Sequence, residues 1–133
     1  MSGHQERLRA FAAAAPISGW LGLSLDEIGD DLRFRLGFNE AHIGNPAIRA
    51  LHGGVIATFL EFAMQAELAA RTQKTVSTIS QAIDYLSSSR AEDMTARVKL
   101  LREGRRVAFL EASGWQSDET RLVAVARCCL KLG

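Results

Sequence analysis

GNPAIRALHGGVIATFLEFAMQAELAAR, residues Gly44–Arg71, sets the architecture of the rest of the chain. It opens as a loop, with turn chemistry at Gly44, Asn45 and Pro46, and runs through Leu51-His52-Gly53-Gly54. Beyond Gly54 neither glycine nor proline occurs up to Arg71, and the spacing predicts a helix over Gly54–Arg71 about 27 Å long. Val55, Ile56, Phe59, Leu60, Phe62, Met64 and Leu68, with alanines between them, leave few positions for water. A helix apolar on nearly every side is buried rather than laid on a surface. Glu61 stands in the middle of that run, about two turns beyond the His-Gly-Gly corner.

On the N-terminal side of this stretch, Trp20–Gly29 and Asp31–Asn39 read as strands, with Leu32, Phe34, Leu36 and Phe38 alternating against Arg33, Arg35 and Gly37. Gly29-Asp30-Asp31 supplies a hairpin turn between them. A loop over Glu40–Leu51 leads into the helix, which ends at Arg71-Thr72-Gln73-Lys74 with positive charge at its C-terminal dipole. After it, Val76–Leu86, Met94–Leu101, Arg106–Trp115 and Thr120–Lys131 read as strands, the first with a bulge and the last with Leu122, Ala124, Ala126 and Cys128 on one face. Ahead of everything, MSGHQERLRAFAAAAP reads as a short amphipathic helix ended near Pro16; Phe11–Ala15 is too short for a signal-peptide core. The order is helix, two strands, long helix, four strands. No strand–helix–strand alternation points to a parallel sheet, so the fold class is α+β: an antiparallel sheet curled round one central helix. Residues 1–133 are expected to form one domain.

Composition narrows the function. A formal net charge of +1 lacks the basic excess that nucleic-acid binding draws on. No apolar run reaches the roughly 20 residues of a membrane span. Cys128 and Cys129 are adjacent, so they neither bond each other nor build a metal site, and a reduced, cytoplasmic protein is expected. His4, His42 and His52 have no metal-ligand spacing to one another.

The antiparallel sheet round a long helix, with Asn45…Leu51-His52-Gly53-Gly54…Glu61 and the Tyr85-Leu86 end of the third strand, resembles the PaaI-like acyl-CoA thioesterases of the hotdog fold. The resemblance runs from the strands after Trp20 to Leu132. Two departures stand out: the family position of Glu61 is commonly aspartate, and Asn45 lies a residue further from His52 than in the family. The resemblance implies hydrolysis of an acyl- or aryl-acyl-CoA thioester without metal or cofactor. It also implies a homodimer with shared active sites, further paired into a homotetramer. A hotdog domain also serves as a non-catalytic acyl-CoA-binding module or a 3-hydroxyacyl dehydratase, and both remain alternatives.

Each candidate residue carries two readings. Gly53 and Gly54 at a helix N-terminus offer backbone donors with no Cβ in the way, an oxyanion hole for a thioester carbonyl, or merely a tight turn. Glu61 is a general base for water or a nucleophile, or else part of a solvated stripe with Thr58 and Gln65. By resemblance it faces the His-Gly-Gly corner of a second subunit. His52 orients the loop or the thioester, or simply caps the helix. Asn45 positions water, or holds a turn with Pro46. Thr78 matches the family's water-orienting hydroxyl and is also an ordinary strand residue. Ser88 and Arg90 after the third strand, and Arg105 and Arg106 in the following hairpin, flank the nucleotide end of coenzyme A by resemblance and would clamp its phosphates, or else are solvated turn residues.

Overall fold

In the computed structural model, which describes residues 3–28 and 31–133, the N-terminal segment forms helices α1 (Gly3–Ala14) and α2 (Pro16–Leu21). Pro16 ends α1 as expected, but it also opens α2, where a missing N–H costs nothing. The strand expected from Trp20 therefore begins later, as β1 (Leu23–Ile28). The alternation of WLGLSL hides the reason: Gly22 adopts a left-handed φ of 61° and caps α2. A side chain there would also meet the Gly37 carbonyl oxygen at 2.9 Å.

β1 pairs antiparallel with β2 (Asp31–Leu36), with Ile28 opposite Asp31. Gly29 and Asp30 of the expected turn lie outside the described residues. Phe34 and Leu36 face the core and Arg35 faces water, as the alternation requires. Arg33 departs from it: the guanidinium is buried on the outer face, 5.5 Å from the Trp115 ring and 3.0 Å from Asp31.

The expected loop over Glu40–Leu51 contains a 3-10 turn (Glu40–His42) and two paired short strands, β3 (Ile43–Asn45) and β4 (Ala50–Leu51), too brief to show a period in sequence. His42 is fully buried here. Its Nδ1 accepts the Asn39 N–H at 3.1 Å and its Nε2 lies 2.8 Å from the Trp20 carbonyl oxygen.

The apolar run folds as α3 (Gly53–Thr72), 20 residues and so about 30 Å long. Beyond it come β5 (Val76–Tyr85), β6 (Met94–Glu103), β7 (Val107–Trp115) and β8 (Ala124–Leu132). β8 starts later than the expected Thr120, because the Asp118 side chain accepts from both the N–H and the hydroxyl of Thr120 and holds a turn. Val123, not Leu122, is the buried residue just ahead of the strand.

The antiparallel sheet has the order β1-β2-β6-β7-β8-β5. Ala96, Ala108, Ala112 and Ala126 on its inner face are small enough to let it close on Phe59, Leu60, Ala63 and Met64 of α3. α1 covers the far side of α3 through buried Leu8 and a 5.4 Å contact between the rings of Phe11 and Phe62. The edges are β1 and β5. Among the described residues no helix is long and apolar enough to cross a membrane.

Candidate active site

The start of α3 is built around His52. Its backbone N–H donates to the His42 carbonyl at 2.8 Å, so the buried His42 anchors the exposed one. Its own carbonyl accepts from Val55 at 3.0 Å and Ile56 at 3.2 Å. Its Nδ1 accepts the Gly54 N–H at 2.8 Å, which makes His52 the side-chain cap of the helix. An accepting Nδ1 requires the neutral tautomer with the proton on Nε2, so the solvent-facing edge of the ring is a donor. Gly54's amide is therefore already used. Among the described residues, the first-turn donor left without an acceptor is the Gly53 N–H. The glycines are needed for space: an added Cβ would sit 2.9 Å from His52 Nδ1 at Gly54, 2.7 Å from His52 Cα at Gly44, and 3.1 Å from Tyr85 Oη at Gly53.

A polar seam runs from this corner along α3 and β5. Tyr85 Oη donates to the Gly53 carbonyl at 2.6 Å, Gln81 Nε2 to the Ala57 carbonyl at 3.0 Å, and Gln65 Nε2 to Thr78 Oγ1 at 2.8 Å. On the helix these are positions 53, 57 and 65, one stripe at four-residue spacing. Glu61 occupies the missing place in that stripe. It is half-buried, and among the described residues no hydrogen bond or ion pair engages it. It stands close enough to buried Cys128 for its charge to matter: burial first, then Glu61 and Cys129, push the Cys128 thiol up to about 12. The solvated stripe of Thr58, Glu61 and Gln65 is thus split, with Thr58 exposed and Gln65 tied to Thr78.

The remaining candidates are scattered. Asn45 is exposed, and its Oδ1 accepts the Ala47 N–H at 3.1 Å, holding a turn. Ser88 and Arg90 lie at the N-terminal end of α3, because buried Ser89 accepts the Leu51 N–H at 2.9 Å on its hydroxyl. There the Ser88 carbonyl accepts from Arg121 at 2.9 Å, and the Arg90 backbone is clamped by the Gln116 side chain at 2.8 and 2.7 Å. Arg105 and Arg106 lie at the opposite end, lining an open cleft with Arg102 and with Lys74, just beyond α3. A single chain therefore does not bring Ser88, Arg90, Arg105 and Arg106 together. Arg102, Arg121 and Gln81 do not stand out in the sequence as site residues, and there Lys74 and Gln65 read only as a helix end and part of a solvated stripe. The in-facing register of β5 after its bulge was the signal available for Gln81. Among the described residues no three His, Cys, Asp or Glu side chains gather as a metal site.

Known proteins share this fold. A family model described as the acyl-CoA thioesterase N-terminal domain matches residues 42–130. The solved structure of a thioesterase-superfamily protein is 30% identical, covers 99% of both chains and superposes with a TM-score of 0.89. The E. coli PaaI protein from the phenylacetic acid degradation operon is 15% identical, with a TM-score of 0.84 over 98% of this chain and 94% of its own. A phenylacetic acid degradation-related protein from Ralstonia eutropha JMP134 is 22% identical, with a TM-score of 0.80 over 98% of this chain and 99% of its own. The latter two show a shared fold. No curated protein matches. The chain belongs to the acyl-CoA thioesterase domain family, thioester hydrolases built on the hotdog fold.

Proposed function

We propose that the protein hydrolyses an acyl- or aryl-acyl-CoA to the free acid and CoA in a site completed by a second protomer. The observation that carries this reading is the unengaged carboxylate of Glu61 in an otherwise hydrogen-bonded seam. The thioester oxygen rests on the Gly53 N–H and the Nε2–H of His52, the donors at the helix start that the chain's own hydrogen bonds leave for it. Glu61 takes a proton from water as the water oxygen bonds to the carbonyl carbon. The tetrahedral oxyanion then collapses, the C–S bond breaks, and the CoA sulfur receives the proton from Glu61. Thr78, held by Gln65 a turn beyond Glu61, orients that water.

Glu61 lies about 10 Å along the helix from Gly54 of its own chain, too far for both to reach one thioester. β5 supplies the remedy. It is a ten-residue edge strand, and Ile79, Tyr85 and the following Leu86 are 57%, 51% and 58% exposed. Such an edge is a template for a second strand. Antiparallel pairing about a two-fold axis near Gln81 and Ala57–Thr58 sets residue 54 of one helix opposite residue 61 of the other. The small side chains at the crossing permit close approach. The same pairing carries the C-terminal end of the second helix about 15 Å past the thioester. Its Lys74, Arg102, Arg105 and Arg106 then meet Ser88 and Arg90 of the first chain at the phosphate end of CoA. Asn45, at the loop ahead of His52, shapes the entrance. Two such dimers pair through the exposed Leu101, Phe109 and Ile79 on the outer face of the sheet. Two free thiols suit the reducing cytoplasm.

Thiol release from short, medium, long and aromatic acyl-CoAs tests this reading, comparing native protein with Glu61→Gln and a blank for Cys128 and Cys129. Release that collapses in an intact oligomer supports it. Tight acyl-CoA binding without release supports a binding module instead, and hydration of an enoyl-CoA supports a dehydratase.

A further inference from the structure

We propose that Tyr85 is a positioning residue that acts on His52 through the Gly53–Gly54 peptide, setting its outward Nε2–H as a donor for the substrate oxygen. The inference rests on the thioesterase reading above. One peptide unit carries both bonds: its carbonyl, on Gly53, accepts from the Tyr85 hydroxyl at 2.6 Å, and its N–H, on Gly54, donates to His52 Nδ1 at 2.8 Å. A donor on an amide oxygen draws electron density from the nitrogen and makes the N–H a better donor, so hydrogen bonds in series strengthen one another. The stronger Gly54 donor holds Nδ1 as acceptor, and that leaves the ring proton on Nε2.

The surroundings fit this role rather than core packing. Within one chain Tyr85 is 51% exposed, so its bond to Gly53 rather than core packing sets where the hydroxyl lies. The phenol sits against Gly53, where a Cβ would meet Oη at 3.1 Å and Cζ at 3.3 Å, so a side chain at 53 would push it back by a few tenths of an ångström. Partial burial pushes its ionisation upward, so the hydroxyl remains a donor through the neutral range. His52 is exposed, and Gly54 holds its ring by one bond, so the strength of that bond governs where the ring points.

The chain has one tyrosine and three histidines, which makes the test site-specific. Protein labelled with ring-15N histidine is compared as native chain, as Tyr85→Phe, and as native chain grown with 3-fluorotyrosine, whose phenol is the stronger acid. The expected result is a His52 signal that moves toward a mixture of tautomers in Tyr85→Phe and away from it with fluorotyrosine, while the signals of His4 and His42 stay put. Turnover in Tyr85→Phe falls about fivefold to tenfold in kcat, with KM changed less than twofold. An unmoved His52 signal in the variants, or a kcat equal to native when the signal has moved, overturns the proposal. A move of the His42 signal with that of His52 marks a general distortion and overturns it too. If Tyr85→Phe does not fold, the fluorotyrosine protein, which keeps shape and hydroxyl, decides alone. The ring signals need no turnover, so a native protein that releases no thiol refutes the thioesterase reading without touching this linkage.

Discussion

Gly54→Ala separates catalysis from stability. The new Cβ would lie 2.9 Å from His52 Nδ1 and 3.0 Å from its Cε1, closer than van der Waals contact by about half an ångström. The obstacle is the end of an exposed side chain, so the imidazole swings out rather than straining the backbone. Losing a side-chain cap costs about 1 kcal/mol. Replacing glycine by alanine within a helix returns about 0.5–1 kcal/mol. Net stability in urea should therefore stay within about 1 kcal/mol of native. The positioned Nε2–H is lost, however, and one oxyanion donor is worth about 100-fold in kcat. His52→Ala should match that loss of activity but be less stable by about 1 kcal/mol, with no alanine gain to offset the cap. Combining the two should lower activity no further, because both remove the same donor. Thiol release within threefold of native in Gly54→Ala would show that His52 supplies no oxyanion donor, and a loss of more than about 3 kcal/mol in stability would show that the imidazole cannot swing out.

At Gly44 an added Cβ meets His52 Cα at 2.7 Å, and no side-chain end can move aside. Gly44→Ala should cost about 1–3 kcal/mol in urea unfolding. Replacing both Arg105 and Arg106 by alanine should raise KM for an acyl-CoA about tenfold and leave it unchanged for the matching acyl-pantetheine, which lacks the nucleotide. Cys128, buried and pushed up to about 12, should resist a thiol reagent until denaturant is added. Its folded-state ionisation lies above that of the unfolded chain. Its contribution to stability is therefore complete below about pH 8.5 and is lost as the pH rises toward 12, at about 1.4 kcal/mol per pH unit. Cys128→Ala should flatten that alkaline slope in urea titrations at several pH values.

What could be read in advance follows the length over which a pattern repeats. α3 was legible because its apolar residues persist for 20 positions, and β2 and β8 because theirs alternate. α2 was not: six residues are under two helical turns, and Trp20, Leu21 and Leu23 mimic a strand until Gly22 turns left-handed. β3 and β4, three and two residues long, carry no period at all. At the site, His52, Gly53, Gly54 and Glu61 stood out as a corner and a carboxylate on one helix. That His52 consumes the Gly54 donor is a matter of rotamer, which no spacing encodes. The Tyr85 bond to Gly53 joins residues 32 apart in sequence, and the division of the arginines between the two ends of α3 depends on how the sheet closes.

A site made from the His-Gly-Gly corner of one chain and Glu61 of another can be rebuilt by mixing two inactive variants. Glu61→Gln protein and Gly54→Ala protein are unfolded together, refolded at equal concentration and assayed for thiol release. In a hybrid dimer one site unites an intact Gly54 with an intact Glu61, and the other holds both substitutions. With random pairing, half the dimers are hybrids with one working site of two, so activity should recover to about one quarter of native. A mixture no more active than its two parents, with hybrid dimers demonstrably formed, would contradict it.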